Sequence, residues 1–238
     1  MNAILVGYGK MGRLVEEAMK EQGFEILGIV DVDKYASAAD VPGVPDVIVD
    51  FSYPGNLEGT VEAAKKHGCA LVEGTTGLTE EQLDLVRTAA AHCPVIQSYN
   101  FSQGVAAMRR AAALLAQALM PGFDCEIVET HHRQKVDAPS GTAKMLLSAV
   151  DPAGEYQVVH GREGRPGARG HEIGVHALRG GTDPGEHQVL FFGEDEIVEI
   201  RHSALSRRIF AHGAARAARF LQGKPNGMYT MDDVLDGQ

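Results

Sequence analysis

The opening stretch "NAILVGYGKMGRLVEEAMKEQG" limits the fold more than any other part of the chain. "NAILVG" is a short apolar run that ends in glycine. "KMGRLVEEAMKEQG" then shows helical spacing, with Met11, Leu14, Val15, Ala18 and Met19 on one face and Gly23 placed to end the helix. A strand that passes through glycines directly into an amphipathic helix begins a βα unit. The rhythm continues: "EILGIVD", "PDVIVDFS", "CALVEGTTG" and "PVIQSYN" read as strands. "NLEGTVEAAKKHG" and "TEEQLDLVRTAAAH" read as helices between them, the second with a Thr-x-x-Gln capping pattern. Strands that are almost wholly apolar must be covered on both faces, so this half is expected to be a doubly wound parallel sheet.

Beyond Phe101 the pattern changes. "SQGVAAMRRAAALLAQALM" is a long helix and "DCEIVETH" a strand of mixed polarity. After a helix from about Gly141 come "EIGVHALRG", "EHQVLFFG" and "DEIVEIRHSA", the last two joined by a Gly-Glu-Asp turn as in a hairpin. Successive strands without helices between them imply a mixed or antiparallel sheet. The expected class is therefore α/β: a Rossmann-type doubly wound parallel sheet plus a second α+β domain. Residues 1–102 with 213–238 form the first, dinucleotide-binding domain, and 103–212 the second, for substrate binding and oligomerisation. "RRIFAHGAARAARFLQG" reads as a final helix, "KPNGMYTMDDVL" as a tail, and "HGREGRPGARGH" as a solvated loop.

Composition narrows the setting. A net charge of −10 over 238 residues argues against a broad nucleic-acid footprint. No apolar run reaches the ~18 residues of a membrane span. A first strand beginning at Asn2 leaves no room for a signal peptide, and three isolated cysteines point to a reducing compartment. The expectation is a cytoplasmic protein with neither nucleic acid nor membrane as partner.

"GYGKMG" places Gly7, Gly9 and Gly12 between the first strand and the first helix. The first glycine permits a tight turn, the second lets backbone approach a pyrophosphate, and the third lets helix pack on strand. Amides at the helix start then favour phosphate. Asp31 follows the second strand, where an acid accepts hydrogen bonds from the adenine ribose and repels a 2′-phosphate. Lys34 works the other way, because it is able to reach such a phosphate. NADH and NADPH both stay open. The loops "EGTTG" and "SYNF" lie at C-terminal strand ends, where ligands bind in open sheets, though each is also an ordinary turn sequence.

The second half gathers its cations in "ETHHRQKVDAPSGTA". His131 and His132 end a strand and so point to opposite faces. Lys135 lies a turn further on. Ser140 is an N-cap candidate that sets Gly141 and Thr142 at a helix start. A helix N-terminus with a lysine and a histidine makes a carboxylate site, and the same cations suit proton delivery to a substrate that has just accepted hydride. A solvated basic turn or a merely well-capped helix are the alternatives. A His-His pair with no third ligand at metal spacing argues against zinc.

The sequence resembles the 4-hydroxy-tetrahydrodipicolinate reductase (dihydrodipicolinate reductase) family. Residues 129–143 match its run Glu-x-His-His-x-x-Lys-x-Asp-x-Pro-Ser-Gly-Thr-Ala throughout. "VGYGKMG", "DFSYP", "EGTTG", "NFSQGV", "RGGTDPGEH" and "KPNGMYT" extend the likeness over nearly the whole chain, in order. The resemblance implies NADH- or NADPH-dependent reduction of a cyclic dicarboxylate in the diaminopimelate route to lysine. It implies His131 as acid/base and Lys135 as proton donor, with His132, Lys135, Ser140, Gly141 and Thr142 holding the substrate carboxylates. It implies a cofactor lined by Gly7, Tyr8, Gly9, Lys10, Met11 and Gly12, by Asp31, by Gly74, Thr75 and Thr76, and by Ser98, Tyr99, Asn100 and Phe101; Lys34 joins this set from its place beside Asp31 alone. It also implies a homotetramer built through the second sheet. The chain is short for the family between Asp33 and Pro45, which bears on cofactor preference. A nicotinamide dehydrogenase for another amino acid, or a dinucleotide sensor without catalysis, are the competing readings.

Overall fold

The computed structural model describes residues 1–237. Strand β1 (Asn2–Val6) leads into helix α1 (Lys10–Glu21), which buries Gly12, Val15, Ala18 and Met19. Gln22 caps that helix, and Gly23, one position further, turns the chain at φ +77°. β2 (Glu25–Val30), β3 (Val47–Asp50), α2 (Leu57–His67), β4 (Ala70–Glu73), α3 (Glu80–Ala89) and β5 (Pro94–Gln97) follow. Thr79 and Gln82 form the expected capping box at α3. β3 and β4 are buried along their whole length, as strands covered on both faces must be. Ile4, Val6, Ile48, Leu57, Val61, Leu71 and Val95 make the centre of this core.

α4 (Gln103–Leu119) introduces the second unit. β6 (Asp124–His131) alternates buried and half-buried positions, the mark of a sheet covered on one face. α5 (Gly141–Val150), β7 (Gln157–Val159), β8 (Glu172–Arg179), β9 (Glu186–Phe192) and β10 (Ile197–Ser203) complete it. The sheet order is β10-β9-β6-β8-β7, with β6 parallel to β8 and antiparallel to β9, so it is mixed. Cys125, Ile127, Val175, Val189 and Phe191 pack with Met108 and Ala112 of α4 and Leu146 of α5. The "HGREGRPGARGH" loop is more than a solvated loop. Arg162 pairs with Glu126 and Glu172 at 2.8 and 2.6 Å, and Arg169 pairs with Glu126 and Asp124. Sequence could not show this, because the partner acids lie on β6 and β8.

The chain then returns to the first unit. α6 (Arg208–Phe220) buries a face of alanines, Ala211, Ala214, Ala215, Ala217 and Ala218, against α1, β3 and β4. β11 (Gly227–Tyr229) adds a parallel edge to β5, and α7 (Met231–Asp236) follows. The first sheet is thus β11-β5-β4-β3-β1-β2, parallel throughout. The two compact units are Met1–Gln103 with Arg207–Gln238, and Gly104–Ser206. The return falls at Arg207 and not at 213, because α6 is one unbroken helix and packs as a whole. Among the described residues no helix is long and apolar enough to cross a membrane.

Candidate active site

At the end of β1, Gly7 takes φ +88°, and a Cβ there would lie 2.8 Å from the Phe51 carbonyl oxygen and the Ser52 backbone. A Cβ on Gly12 would collide with the Gly7 carbonyl, so this glycine allows α1 to close on the turn. Gly9 is different: a Cβ there meets nothing within 4 Å. It is the N-cap of α1, and no side chain caps that end. Open space before an uncapped helix start fits a bound diphosphate. Tyr8 donates its hydroxyl to Glu16, and the Lys34 ammonium lies 4.3 Å from the centre of the Tyr8 ring. Asp31, just past β2, accepts the Val32 amide at 2.9 Å. Lys10 and Met11 open the first turn of α1, Lys10 exposed and Met11 half-buried.

Two further loops leave the same C-terminal edge of the first sheet. Gly74 sits under the Phe51 and Phe101 rings, whose centres are 5.3 Å apart, and a Cβ there would lie 2.6 Å from Phe51. Thr75 is buried; its amide donates to Glu73 Oε1 at 2.7 Å and its hydroxyl to Asp50 Oδ1 at 3.1 Å. Thr76 is exposed. In the other loop the Ser98 hydroxyl donates to the Asn100 carbonyl, and Asn100 Oδ1 accepts the Ser102 amide. Phe101 is buried and Tyr99 exposed. Both loops are held from below by buried groups, while Thr76 and Tyr99 face solvent.

In the second unit, β6 carries Glu129 and His131 two residues apart, hence on the same face. Glu129 Oε2 pairs with His131 Nδ1. The Arg179 guanidinium grips the same carboxylate through two hydrogen bonds of 2.8 Å, and the Ser140 amide donates to it at 3.1 Å. Burial alone would raise the Glu129 carboxyl, but His131 and Arg179 outweigh it and hold the group down at about 2. Ser140 caps α5 by accepting the Ala143 amide, and its hydroxyl meets His187 Nε2 at 3.1 Å. Burial, reinforced by neighbouring His131, pushes His187 down to about 3, so its ring is neutral and able to accept the serine proton. Gly141 and Thr142 form the first turn of α5. The His132 amide donates to the Asp183 carbonyl, and the Lys135 amide donates back to the His132 carbonyl. That turn brings the Lys135 ammonium to 2.8 Å from Asp137 Oδ1.

His131, His132, Lys135 and the Ser140 cap thus lie on one strand end and the turn after it. Four contributors stand in stretches that match the family but carry no assigned role in the sequence analysis: Glu129, Arg179, His187 and Gly185. A Cβ on Gly185 would lie 2.9 Å from His131 Nε2, so glycine there makes room for the imidazole. The i, i+2 spacing of Glu129 and His131 was a usable signal; Arg179, Gly185 and His187 lie in the "RGGTDPGEH" stretch that carries the family likeness, but nothing in that stretch says that they meet Glu129, His131 and Ser140. Among the described residues no cluster of three His, Cys, Asp or Glu side chains could hold a metal.

Two family models match the chain: dihydrodipicolinate reductase, N-terminus, over residues 1–101, and dihydrodipicolinate reductase, C-terminus, over residues 104–235. A 4-hydroxy-tetrahydrodipicolinate reductase from Exiguobacterium sp. is 41% identical over 99% of this chain and 96% of its own. One from Rubrobacter xylanophilus is 44% identical over 94% and 87%. The solved structure of a dihydrodipicolinate reductase from Paenisporosarcina sp., with dipicolinate bound, superposes with a TM-score of 0.73 at 25% identity and 97% coverage of both chains. An amine dehydrogenase from Mycobacterium smegmatis, at 12% identity and a TM-score of 0.64, shares the fold alone.

Proposed function

The chain belongs to the dihydrodipicolinate reductase family, and from that premise we propose that it reduces 4-hydroxy-tetrahydrodipicolinate to tetrahydrodipicolinate with a nicotinamide cofactor, in the diaminopimelate branch of lysine biosynthesis. The observation that carries this reading is the folding of residues 129–143. They run from one strand end through one turn to one capped helix start, and they carry two histidines, a lysine and the first amides of α5.

The substrate is a cyclic dicarboxylate. Ser140, Gly141 and Thr142 hold one carboxylate at the positive end of α5, with His132 and Lys135 as further donors. The cofactor, when bound, supplies a hydride to C4. The C4 hydroxyl first leaves with a proton from the neighbouring carbon, as water, which creates the conjugated C=C–C=N system, and hydride arriving at C4 then moves electron density through it onto nitrogen. That charge is met by a proton from Lys135, and His131 serves as the acid/base. Lys135 carries Asp137 as its counter-ion in the free protein, and a substrate carboxylate takes over that role. Glu129 aims the His131 ring by fixing Nδ1, which leaves Nε2 as the nitrogen that meets the reaction. Arg179 and the Ser140 amide keep Glu129 ionised and still. Glu129 is therefore a positioning residue and not a catalytic one.

Cofactor binding falls to residues 7–12, Asp31 and Lys34, residues 74–76 and residues 98–101. Asp31 favours NADH by repelling a 2′-phosphate, while Lys34 offers NADPH a counter-charge once it leaves the Tyr8 ring. Both cofactors are used, NADH with the lower Kd. The working compartment is the cytoplasm, where three free, buried cysteines stay reduced. The second sheet also has an open face. Leu178 and Ile197 are exposed there, and Val128, Leu190 and Phe192 are half-buried. This is the surface through which a homotetramer assembles.

The test is NADH oxidation with substrate freshly condensed from pyruvate and aspartate semialdehyde. Turnover that needs both components is expected. Oxidation that proceeds with either alone, or not at all, overturns the assignment.

A further inference from the structure

Beneath residues 74–76 lies a row of three side chains that the reaction does not use. Asp50, Glu73 and Gln97 end β3, β4 and β5 and are paired in register, so they share one face of the sheet. Asp50 and Glu73 are both fully buried. Asp50 is saturated: Oδ1 accepts the Ser52 amide at 2.9 Å, the Ser52 hydroxyl at 2.6 Å and the Thr75 hydroxyl at 3.1 Å, and Oδ2 accepts the Thr60 hydroxyl at 2.8 Å. Glu73 has much less, with Oε1 accepting the Thr75 amide at 2.7 Å while Oε2 is buried without a partner. Gln97 Nε2, beside it on β5, is also buried without a partner.

Among the described residues no cation compensates this pair. On α2, Glu58, Glu62 and Lys66 are exposed, and Lys65 donates to the Thr88 hydroxyl. On α3, Glu80, Asp84 and Arg87 pair among themselves at the surface and Glu81 is exposed. On α6, Arg208 and His212 reach Glu21, Arg216 reaches Gln103, and Arg219 lies over Phe24. Two buried carboxylates side by side with no counter-charge do not both ionise, and the one with fewer donors keeps the proton. Burial first, and then the Asp50 charge, raise Glu73 to about 8.

We propose that Glu73 is a positioning residue for the cofactor: as a neutral acid it holds the Thr75 amide, and through it residues 74–76, in the shape that receives the nicotinamide end of NADH. This rests on the reading that residues 74–76 touch the cofactor. Ionised Glu73 beside ionised Asp50 repels it and drags the Thr75 amide out of place.

The experiment is the Kd for NADH, by calorimetry on the whole protein, from about pH 6.5 to about pH 9. The wild type is expected to bind up to about tenfold more weakly at the alkaline end. Glu73→Gln, which mimics the neutral acid, matches the wild type near pH 7 and stays flat. Glu73→Ala, with no acceptor for the Thr75 amide, binds about three- to tenfold more weakly than the wild type near pH 7 and stays flat with pH. A Glu73→Gln profile as steep as the wild type, or a flat wild-type profile, overturns the proposal even if Glu73→Ala does not fold. Thr76→Tyr checks the underlying reading by placing a bulky ring on the exposed turn. If NADH binding ignores it, the turn is no cofactor site and both ideas fall. If Thr76→Tyr weakens NADH while Glu73→Gln keeps the wild-type slope, only the role of Glu73 falls.

Discussion

Glu129→Gln keeps the shape of the side chain and removes its charge. One amide oxygen is able to serve the Ser140 amide, but the other position becomes an NH₂ group facing the Arg179 guanidinium and His131. Donor then meets donor, and a largely buried guanidinium loses its counter-ion. Breaking such a pair costs about 3–5 kcal/mol. The titration leads to a similar figure. A carboxyl held at about 2 against an ordinary 4.5 corresponds to about 3–4 kcal/mol of stabilisation. The sign follows from the folded value lying below the unfolded one. The stabilisation is fully present above about pH 4.5 and is lost as the pH falls towards 2. Urea denaturation should therefore place Glu129→Gln about 3 kcal/mol below the wild type at pH 7, with the gap closing in acid. Turnover should fall by about 100-fold or more as His131 loses its orientation, with the Kd for NADH unchanged. Equal stability at pH 7, or a gap that stays constant into acid, refutes the reasoning.

Lys135→Ala should lower kcat by at least ~100-fold while NADH binding persists; near-normal turnover removes this lysine from the chemistry. Gly9→Val fills the open space before α1, so calorimetry should show NADH affinity reduced by about tenfold or more. Asp31→Ala should narrow the gap between the NADH and NADPH dissociation constants, and an unchanged ratio places the adenine ribose elsewhere. Light scattering should give the mass of four chains, and Leu178→Glu with Ile197→Glu, on the open sheet face, should lower it.

The elements of the first sheet were legible because their apolar runs and capping residues are local signals. The Thr79 box and the Gly7, Gly9 and Gly12 turn are encoded within a few residues of where they act. β7 and β11 were not legible. Each has three residues, too few for a period to show, and each exists because a neighbouring strand offers an edge. The cluster on residues 129–143 was legible along its own segment, but its contacts across strands were not. His131, Lys135 and Ser140 stood in one run, whereas Arg179 and His187 reach Glu129 and Ser140 only through sheet register. Glu73 shows the same limit. In sequence it opens a polar turn, and only the alignment of β3 with β4 sets it against Asp50.

The discontinuity of the first unit has a consequence for its birth on the ribosome. β1 to β5 emerge early, but α6 and β11, which cover and edge their sheet, follow only after the whole of Gly104–Ser206 has been made. The second unit is a single unbroken segment and suffers no such delay. During that interval the nascent sheet shows an unpaired β5 border and the bare patch that the α6 alanines later occupy. Chaperone engagement and the danger of premature association should therefore concentrate on the early-made half of the polypeptide.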